Sequence, residues 1–302
     1  MTPSQLKNLK KIGMNGVHFD YPLGEKSTFR AGGNVEALCE VSSADLLREL
    51  VGYLGSEAIP YRVLGRGSNI LVKDEGLEGV VILLEGEFER IASSNQANNE
   101  LVVGAGASLF DLLMYCRDRG LTGLEFLAGI PGKVGGAVCM NAGAFGGQMG
   151  DRIAAVEMMD RYGSVSWIDK GELDFGYRHF NRPIDSIVLR TLVSLVTDSA
   201  EAVRQRIVGY LKEKKRRQPI DLPSAGSVFR NPPGGYAGRM IEAVGLKGRR
   251  IGGAMISEKH ANFIVNIGGA TAGDIISLIE LIKEKVKHRF NTDLELEIEV
   301  LG

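Results

Sequence analysis

The sequence contains few of the residues that mark metal centres and disulfide frameworks. Its 302 residues include three cysteines, four histidines and one tryptophan. Cys39, Cys116 and Cys139 lie far apart and show no CxxC spacing, which excludes the usual zinc patterns and a disulfide framework. We therefore expect a chain that binds no metal and keeps its thiols reduced.

Long hydrophobic runs are also absent. No apolar segment approaches the roughly 20 residues that span a bilayer, and the first residues, MTPSQLKNLKKIG, lack the apolar stretch of a signal peptide. Neither sign of charge dominates, because 36 Lys and Arg face 37 Asp and Glu, for a net charge of -1. This balance argues against a general nucleic-acid binder. We expect a cytoplasmic protein without a nucleic-acid or membrane partner, and no obligate protein partner is evident.

Glycine, in contrast, is abundant. The chain has 40 glycines, dense between residues 104 and 150, and such clusters let the backbone adopt positive φ and approach a ligand closely. GRGSNI at 65–70 and GAGASL at 104–109 begin like a dinucleotide fingerprint but lack its third glycine. In GIPGKVGG, valine follows Lys133 where a P-loop has Ser or Thr, and the glycine spacing also fails.

Taken together, the glycine turns favour a ligand cradle. Each turn follows or flanks an apolar strand, and successive backbone N–H groups in such turns can bind phosphate oxygens without a Rossmann topology. Tight turns in a strand-rich domain would explain any one of them. Three such turns together with MNAGAFGG favour the cradle.

The spacing of apolar residues predicts an α+β protein. The segment from residue 35 to 76 is predicted as strand, helix, strand and strand, with Ser42 and Asp45 capping the helix. Further strands follow, and a hairpin is predicted around Tyr162 and Gly163.

The C-terminal third begins with a basic helix. This helix starts at about Glu201, is stopped by Pro219 and is the best candidate for a domain boundary. Thr271 and Asp274 are predicted to cap a later long helix, and LELEIEVLG is predicted as a closing strand.

The segment PSAGSVFRNP, residues 223–232, contains a serine whose role the motif alone leaves open. Ser227 could be a nucleophile, part of a phosphate cradle or a hydroxyl that delivers a proton. No glycine stands two places after Ser227, so the nucleophile-elbow pattern fails, and no histidine lies within ten residues. A serine at a helix N-cap or in a turn is the purely structural alternative.

Read in order, the motifs resemble those of the UDP-N-acetylenolpyruvoylglucosamine reductases, a family of flavoenzymes that make UDP-N-acetylmuramate for peptidoglycan. The short interval between Arg178 and Ser227 resembles the compact subtype of that family, which lacks the extra loop whose tyrosine closes over substrate. The matching stretches cover nearly the whole chain from about residue 20: STFRAGG, LGRGSNILV, EFLAGIPGKVGGAVCMNAGAFGG, FGYRHF, QPIDLPSAGSVFRNP, AGRMIEAVGLKG, GGAMISEKHANFIVN and LELEIEVLG.

The resemblance implies a fold, a cofactor and substrates. It implies a vanillyl-alcohol-oxidase/PCMH-type FAD-binding domain in two subdomains at residues 1–199, followed by a smaller α+β substrate-binding domain at residues 200–302. FAD would be held non-covalently, so His18 and Cys139 are interpreted as structural. NADPH and the UDP-sugar enolpyruvyl ether would be the substrates. The implied FAD-binding residues are Arg66, Gly67, Ser68, Asn69, Gly129, Pro131, Gly132, Gly135, Gly136, Asn141 and Ala142.

Three residues match the catalytic set of the family. Hydride would pass from flavin N5 to C3 of the substrate, Arg178 would stabilise the resulting enolate-like intermediate, and Ser227 would donate a proton to C2. Glu297 would help to stabilise the intermediate and orient its protonation. Strict alternation in LELEIEV puts Glu295 on the same strand face, so Glu295 is the alternative. From the residues alone, a stacked surface arginine is the favoured interpretation of Arg178, and a solvated acidic face would explain the glutamates.

Two further residues match substrate contacts. Arg217 would bind the substrate diphosphate, although a solvated helix end explains this residue equally well, and Asn231 would bind an amide or hydroxyl group. Two other functions remain open: a flavin oxidase of the same fold that acts on an alcohol or hydroxy acid, and a non-catalytic nucleotide-binding module.

Overall fold

The computed structural model describes residues 1–94, 97 and 99–302. These residues form two compact units that interleave along the chain. The first unit comprises Met1–Phe19, Ala37–Gly65 and Gly79–Lys212, and the second comprises Asp20–Glu36, Arg66–Glu78 and Glu213–Gly302. Two early segments therefore belong to the unit that contains the C-terminus. The boundary between residues 199 and 200, which separates FAD-binding and substrate-binding domains, stays a prediction.

Helices of very different length occur in both units. Short 3₁₀ turns occupy Met14–Gly16, Gly86–Glu89, Glu125–Leu127, Met149–Asp151 and Lys170–Glu172. The α-helices are α1 (Pro3–Gly13), α2 (Leu23–Lys26), α3 (Ala44–Ser56), α4 (Leu109–Asp118), α5 (Val134–Cys139), α6 (Ala200–Arg217), α7 (Ala237–Ala243) and α8 (Ala272–Phe290).

Most strands are short, and many have only two or three residues. They are β1 (Val17–Tyr21), β2 (Val35–Val41), β3 (Tyr61–Leu64), β4 (Ile70–Val72), β5 (Leu77–Leu84), β6 (Ile91–Ser93), β7 (Glu100–Gly104), β8 (Leu121–Thr122), β9 (Gly143–Ala144), β10 (Gly147–Gln148), β11 (Ile153–Met159), β12 (Val165–Asp169), β13 (Asp174–Gly176), β14 (His179–Asn181), β15 (Ile187–Ser194), β16 (Val196–Thr197), β17 (Arg250–Ile251), β18 (Ala254–Ile256), β19 (Ile264–Asn266) and β20 (Glu299–Leu301).

Two larger sheets and several small ones organise these strands. One sheet has the order β1-β2-β5-β3, with β3 and β5 parallel. The other has the order β12-β11-β15-β7-β6, and its pairs are antiparallel. In the second unit, β17, β18 and β19 form an antiparallel meander, while β20 pairs with β4 in parallel. The mixture of helices and short strands is the predicted α+β content.

The predicted strand, helix, strand, strand order after residue 35 is confirmed by β2, α3, β3 and β4. The predicted cap at Ser42 is wrong by one residue. Ser43 is the N-cap, because its Oγ accepts a hydrogen bond from the N–H of Leu46 at 3.3 Å. The carboxylate of Glu87 accepts the N–H of Ala44 at 2.7 Å, a long-range contact that no local pattern reveals.

The predicted hairpin is confirmed by the antiparallel pair β11 and β12. One Asp160 oxygen accepts the N–H groups of Tyr162 at 2.8 Å and Ser164 at 2.9 Å, and Gly163 supplies a positive φ of 84°. An aspartate that binds the backbone two residues later is a typical turn former. The turn residues alone therefore specify this connection.

At the C-terminus, one prediction holds and one needs correction. Thr271 and Asp274 form the predicted capping box of α8, with Thr271 Oγ1 3.0 Å from the N–H of Asp274. The closing strand, however, is regular only over β20, and the chain bends at residues 297 and 298. Glu295, Glu297 and Glu299 therefore do not lie on one continuous strand.

Each unit has its own apolar core. In the first unit, the helices α3 and α4 contribute buried leucines such as Leu47, Leu50 and Leu112. In the second, α8 buries one face against Phe229 and Leu71, as its apolar residues at three- and four-residue spacing predict. In the described part of the chain, no helix combines the length and apolarity needed to cross a membrane.

Candidate active site

The turn with the first four predicted FAD contacts lies between β3 and β4. Arg66 is exposed, Gly67 has a φ of 64°, and Ser68 and Asn69 are partly buried. The positive φ makes glycine the favoured residue at position 67. The carbonyl of Gly67 accepts the N–H of Thr28 at 3.2 Å, so the STFRAGG motif holds this turn in place.

Asn69 joins this turn to the C-terminal segment. Its Nδ2 donates to the carbonyl of Glu297 at 2.9 Å, and its own carbonyl accepts the N–H of Glu299 at 2.9 Å. Beyond it, Ile70 of β4 pairs with Glu299 of β20. One predicted FAD residue and one predicted catalytic residue are thus linked through the backbone within the second unit.

The segment that carries Ser227 lies between two partners. On one side, the N–H of Glu297 donates to the carbonyl of Val228 at 2.8 Å, and Phe229 forms a β-bridge with Leu296. On the other side, the side chain of Asn262 accepts the N–H of Phe229 at 3.0 Å and donates to its carbonyl at 2.7 Å. The backbone after Ser227 is therefore fixed on both edges.

Ser227 itself is partly buried and follows Gly226, which has a φ of 78°. It caps no helix, because the next helix, α7, begins at Ala237. Among the described residues, its hydroxyl makes no hydrogen bond. The structural alternative of an N-cap serine therefore does not apply.

Glu297 and Glu295 differ in exposure. Glu297 is partly buried beside the bond to Asn69, whereas Glu295 and Glu299 are exposed. The bend of the chain at residues 297 and 298 causes this difference. Of the two candidate glutamates, Glu297 is therefore the less exposed to solvent.

The remaining predicted FAD residues surround the short helix α5 in the first unit. Gly129, with a φ of 70°, and Pro131 are exposed ahead of the helix. Gly132 uses its carbonyl to accept the N–H of Leu109 at 3.0 Å. Five of the seven residues thus precede the helix or lie in its first turn, and two follow it.

Gly135 and Gly136 have different surroundings within α5. The N–H of Gly135 donates to the carbonyl of Ala105 at 2.8 Å, and a Cβ at Gly135 would lie 2.9 Å from the Cβ of Ala105. Gly136 is exposed, and a Cβ there would meet no heavy atom within 4 Å. Gly135 is required for packing, whereas Gly136 leaves an open surface.

Asn141 and Ala142 follow α5 and form hydrogen bonds with other groups of the protein. Asn141 has no exposed area, and its Nδ2 donates to the carbonyl of Gly176 at 2.8 Å while its Oδ1 accepts the N–H of Gly150 at 2.8 Å. Ala142 donates its N–H to Ala137 and accepts that of Met149. Asn141 thereby holds the β13–β14 hairpin, which carries Arg178.

Arg178 lies at the tip of that hairpin, between Gly176 and His179. Its φ of 56° is in the left-handed region, which non-glycine residues rarely adopt. Its Nη2 donates to the carbonyl of Gly143 at 2.8 Å, and its guanidinium lies 5.2 Å from the ring centroid of Tyr177. The left-handed φ of Arg178 and its bond to Gly143 in the MNAGAFGG motif distinguish it from a surface arginine that only stacks on a neighbouring ring.

The two predicted substrate contacts lie in the second unit. Arg217 ends α6 and pairs with Glu213, which also pairs with Arg216 at 2.7 Å. Asn231 accepts the N–H of Ala237 with its Oδ1 at 3.1 Å and so holds the start of α7. Both residues therefore have a structural partner within the protein.

The residues around α5 fit a bound FAD. The open surface at Gly136 and the exposed Gly129 and Pro131 leave room for a planar ring, and glycine-rich backbone suits a pyrophosphate. Burial raises the pKa of the Cys139 thiol, which lowers the fraction of thiolate, the nucleophilic form. Among residues 1–94, 97 and 99–302, no group of three His, Cys, Asp or Glu side chains is placed to hold a metal.

Two residues in or next to the Ser227 segment were not singled out in the sequence. Asn262 in SEKHANF holds the backbone of Phe229, and Arg230 in PSAGSVFRNP has a buried Nε without a hydrogen-bond partner in the described part of the chain. Asn262 could not be singled out, because its partner lies 33 residues away. Arg230 is the one basic residue in PSAGSVFRNP, and this charge was a signal that could have identified it.

The chain matches two family models. The model described as FAD binding domain matches residues 35–169, and the model described as UDP-N-acetylenolpyruvoylglucosamine reductase, C-terminal domain, matches residues 218–301. A UDP-N-acetylenolpyruvoylglucosamine reductase of Moorella thermoacetica is 43% identical over 281 residues, which cover 93% of this chain and 92% of the relative. A protein of the same name from Caldanaerobacter subterraneus is 39% identical and covers 99% and 97%.

Solved structures agree with these matches. The crystal structure of a UDP-N-acetylenolpyruvylglucosamine reductase from Thermus caldophilus has a TM-score of 0.80 and 39% identity, and covers 95% of this chain and 98% of that one. A VAO-type flavoprotein from Myceliophthora thermophila shares the fold at 11% identity, with a TM-score of 0.51 over 65% of this chain and 48% of that one. The predicted resemblance and fold class are both confirmed.

Proposed function

The chain belongs to the UDP-N-acetylenolpyruvoylglucosamine reductase family, and we propose that it reduces UDP-N-acetylglucosamine enolpyruvate to UDP-N-acetylmuramate with NADPH as the electron donor. As a member of this family it is an FAD-dependent oxidoreductase of peptidoglycan synthesis. When bound, FAD would accept hydride from NADPH and deliver hydride to C3 of the enolpyruvyl ether. The residues of the chain must then stabilise the charge that develops at C2 and its carboxylate, and protonate C2.

Ser227 is the proposed proton donor to C2. A hydroxyl is a weak acid in water, but a carbanion is a far stronger base and can take its proton when the donor is correctly placed. The position of Ser227 supports this role, because the backbone after it is held by Glu297 on one side and Asn262 on the other. Its hydroxyl also makes no competing hydrogen bond within the described residues.

Glu297 and Arg178 are proposed to stabilise the intermediate. A permanently charged guanidinium suits a carboxylate whose charge increases during the reaction. The bond from Arg178 to the carbonyl of Gly143 and the positive φ of Arg178 fix the direction of its side chain. Glu297 is supported over Glu295 by its partial burial and by the bond from Asn69 to its carbonyl.

The contacts to FAD are also a proposal. Around α5, Gly129, Pro131, Gly132 and Gly136 would face the cofactor, while Gly135, Asn141 and Ala142 would shape that surface from behind. The turn Arg66–Asn69 would bind the pyrophosphate. Arg217 and Asn231 would contact substrate from positions where each also has a protein partner.

The observation that carries the proposal is the backbone network of the second unit. Asn69, Glu297 and Val228 are joined by consecutive hydrogen bonds of 2.9 and 2.8 Å, so a predicted FAD turn, a predicted catalytic glutamate and the residue after the predicted proton donor form one connected set. This arrangement suits a reaction that needs hydride and proton delivery in fixed relation.

The test is an anaerobic experiment in two steps. NADPH should bleach the flavin absorbance of the purified holoenzyme, and the UDP-sugar enolpyruvyl ether should then restore it with formation of UDP-N-acetylmuramate. A flavin oxidase of the same fold would instead be reduced by an alcohol or hydroxy acid and reoxidised by oxygen. A protein that takes up no flavin would exclude both enzymes.

A further inference from the structure

Arg230 lies in the segment that carries Ser227 and is held there by its backbone. Its N–H donates to the carbonyl of Glu295 at 2.9 Å, and the preceding Phe229 pairs with Leu296. Val228 and Phe229 have no exposed area. The position of Arg230 is therefore fixed by the core of the second unit.

The side chain of Arg230 has no partner of its own. It is partly buried, its Nε is buried, and within the described residues its guanidinium makes no hydrogen bond or ion pair. Arg30, Arg66 and Arg249 of the same unit also show no side-chain partner within the described residues, but all three are exposed, whereas the Nε of Arg230 is buried. Because a buried donor without an acceptor is unfavourable, Arg230 weakens the folded protein unless an anionic ligand supplies the acceptor.

The C-terminal segment contacts the relevant residues one after another along its sequence. The N–H of Glu299 bonds to Asn69, the N–H of Glu297 bonds to Val228, and the carbonyl of Glu295 bonds to Arg230. Ser227 therefore lies between the predicted FAD turn and Arg230. Val228, next to Ser227, bonds to Glu297, whereas Arg230 bonds to Glu295, which is two residues further along the C-terminal segment from the contacts to Asn69.

The ligand chemistry follows from this order and from the proposed function, on which the inference rests. The substrate has two anionic groups: a carboxylate bonded directly to the carbon that Ser227 would protonate, and a diphosphate on the opposite side of the sugar. Arg230 lies beyond Ser227 as seen from the FAD turn, so it is suited to the diphosphate, the more distant of the two groups. A guanidinium binds phosphate oxygens through two parallel N–H donors.

We propose that Arg230 is a substrate-binding residue whose guanidinium holds the diphosphate of the UDP-sugar. This role explains why a cation without a protein partner is kept in a well-packed segment. Within the part of the chain that the structure describes, the guanidinium of Arg230 is free to bind the diphosphate, whereas the guanidinium of Arg217 is already paired with Glu213.

The test compares Arg230→Met with the control Arg216→Met by calorimetric titration of each holoenzyme with UDP. Methionine keeps most of the length of the side chain and removes its donors. We expect the Kd for UDP to rise about tenfold or more in Arg230→Met, the loss expected for charge-assisted hydrogen bonds, and to stay unchanged in Arg216→Met. The KM for the UDP-sugar should rise with the Kd, while the reduction of the flavin by NADPH is unchanged.

Stability separates a binding role from a structural one. No protein acceptor is lost in Arg230→Met, so its Tm should equal or exceed that of the wild type, which a structural arginine would not allow. Arg230→Lys keeps the charge without the paired donors and should bind UDP with an affinity between those of the wild type and Arg230→Met.

Three results would overturn the inference. One is an unchanged UDP affinity in Arg230→Met, even if the KM for the full substrate rises, since that would assign Arg230 to the carboxylate. Another is a large fall in Tm for both Arg230→Met and Arg230→Lys. The third is a wild-type holoenzyme that does not bind UDP, which would also count against the proposed function, whereas the first two leave it standing.

Discussion

The side-chain amide of Asn69 donates a hydrogen bond to the main-chain carbonyl of Glu297, with Nδ2 and O 2.9 Å apart. The carbonyl of Asn69 accepts the N–H of Glu299 at the same distance, and the two chain segments continue as the parallel pair β4 and β20. A residue proposed to bind the flavin thus fixes the backbone of a residue proposed to act on the substrate. The same backbone holds Val228, next to Ser227, so a displacement at any of these residues would affect the others.

Gly135 and Gly136 form a matched pair that tests the FAD surface. Gly135→Ala should lower the stability of the apoprotein by about 1 to 3 kcal/mol, because its Cβ would lie 2.9 Å from that of Ala105. Gly136→Ala should leave stability unchanged or slightly higher, since its Cβ meets no atom, but should weaken FAD binding. Chemical denaturation and fluorescence titration with FAD measure the two effects. Full FAD affinity in Gly136→Ala would remove that surface from the cofactor site.

Arg178 tests whether backbone strain accompanies function. Because its φ is 56°, Arg178→Gly should be more stable than Arg178→Ala by about 1 to 2 kcal/mol, the cost of the left-handed conformation for a residue with a Cβ. Both variants lose the guanidinium, so the enolpyruvyl substrate should reoxidise the reduced flavin of both variants slowly. Denaturant unfolding and single-turnover kinetics give these two quantities. Equal stability with normal turnover would show that neither the strain nor the charge matters.

Asn262 is expected to position Ser227 through the backbone. Asn262→Ala leaves the buried N–H and carbonyl of Phe229 without their partner, which should cost about 1 to 3 kcal/mol and slow the substrate half-reaction more than flavin reduction by NADPH. Asn266→Ala is the control, since Asn266 is a buried amide that holds Phe29 and Arg30 instead. Asn266→Ala should lose stability without selective slowing of the substrate step. Similar kinetics in the two variants would assign Asn262 a purely structural role.

Local signals in the sequence predicted what is locally determined. The Asp160 turn and the Thr271–Asp274 capping box each depend on residues within four positions of each other, so their residue types are sufficient. The motifs of the chain also predicted the family and the fold class. The start of α3 was misplaced by one residue, because Ser42 and Ser43 are adjacent and both are typical N-cap residues, and the N-cap is Ser43.

Long-range partners determine the features that the sequence did not reveal. The alternating pattern in LELEIEV predicts a straight strand, but contacts to Asn69 on one side and Val228 on the other bend it at residue 297. The support of Phe229 by Asn262 joins residues far apart, and the unpaired state of Arg230 is a property of its three-dimensional surroundings. The interleaving of the two units along the chain has no local pattern at all.

The most direct measurement is stopped-flow absorbance of the flavin in Ser227→Ala, recorded separately for each half-reaction. We expect NADPH to reduce this variant at nearly the wild-type rate, while reoxidation by the UDP-sugar enolpyruvyl ether slows at least about a hundredfold, because the general acid is lost. Equal slowing of both half-reactions, or unchanged reoxidation, would contradict proton donation by Ser227.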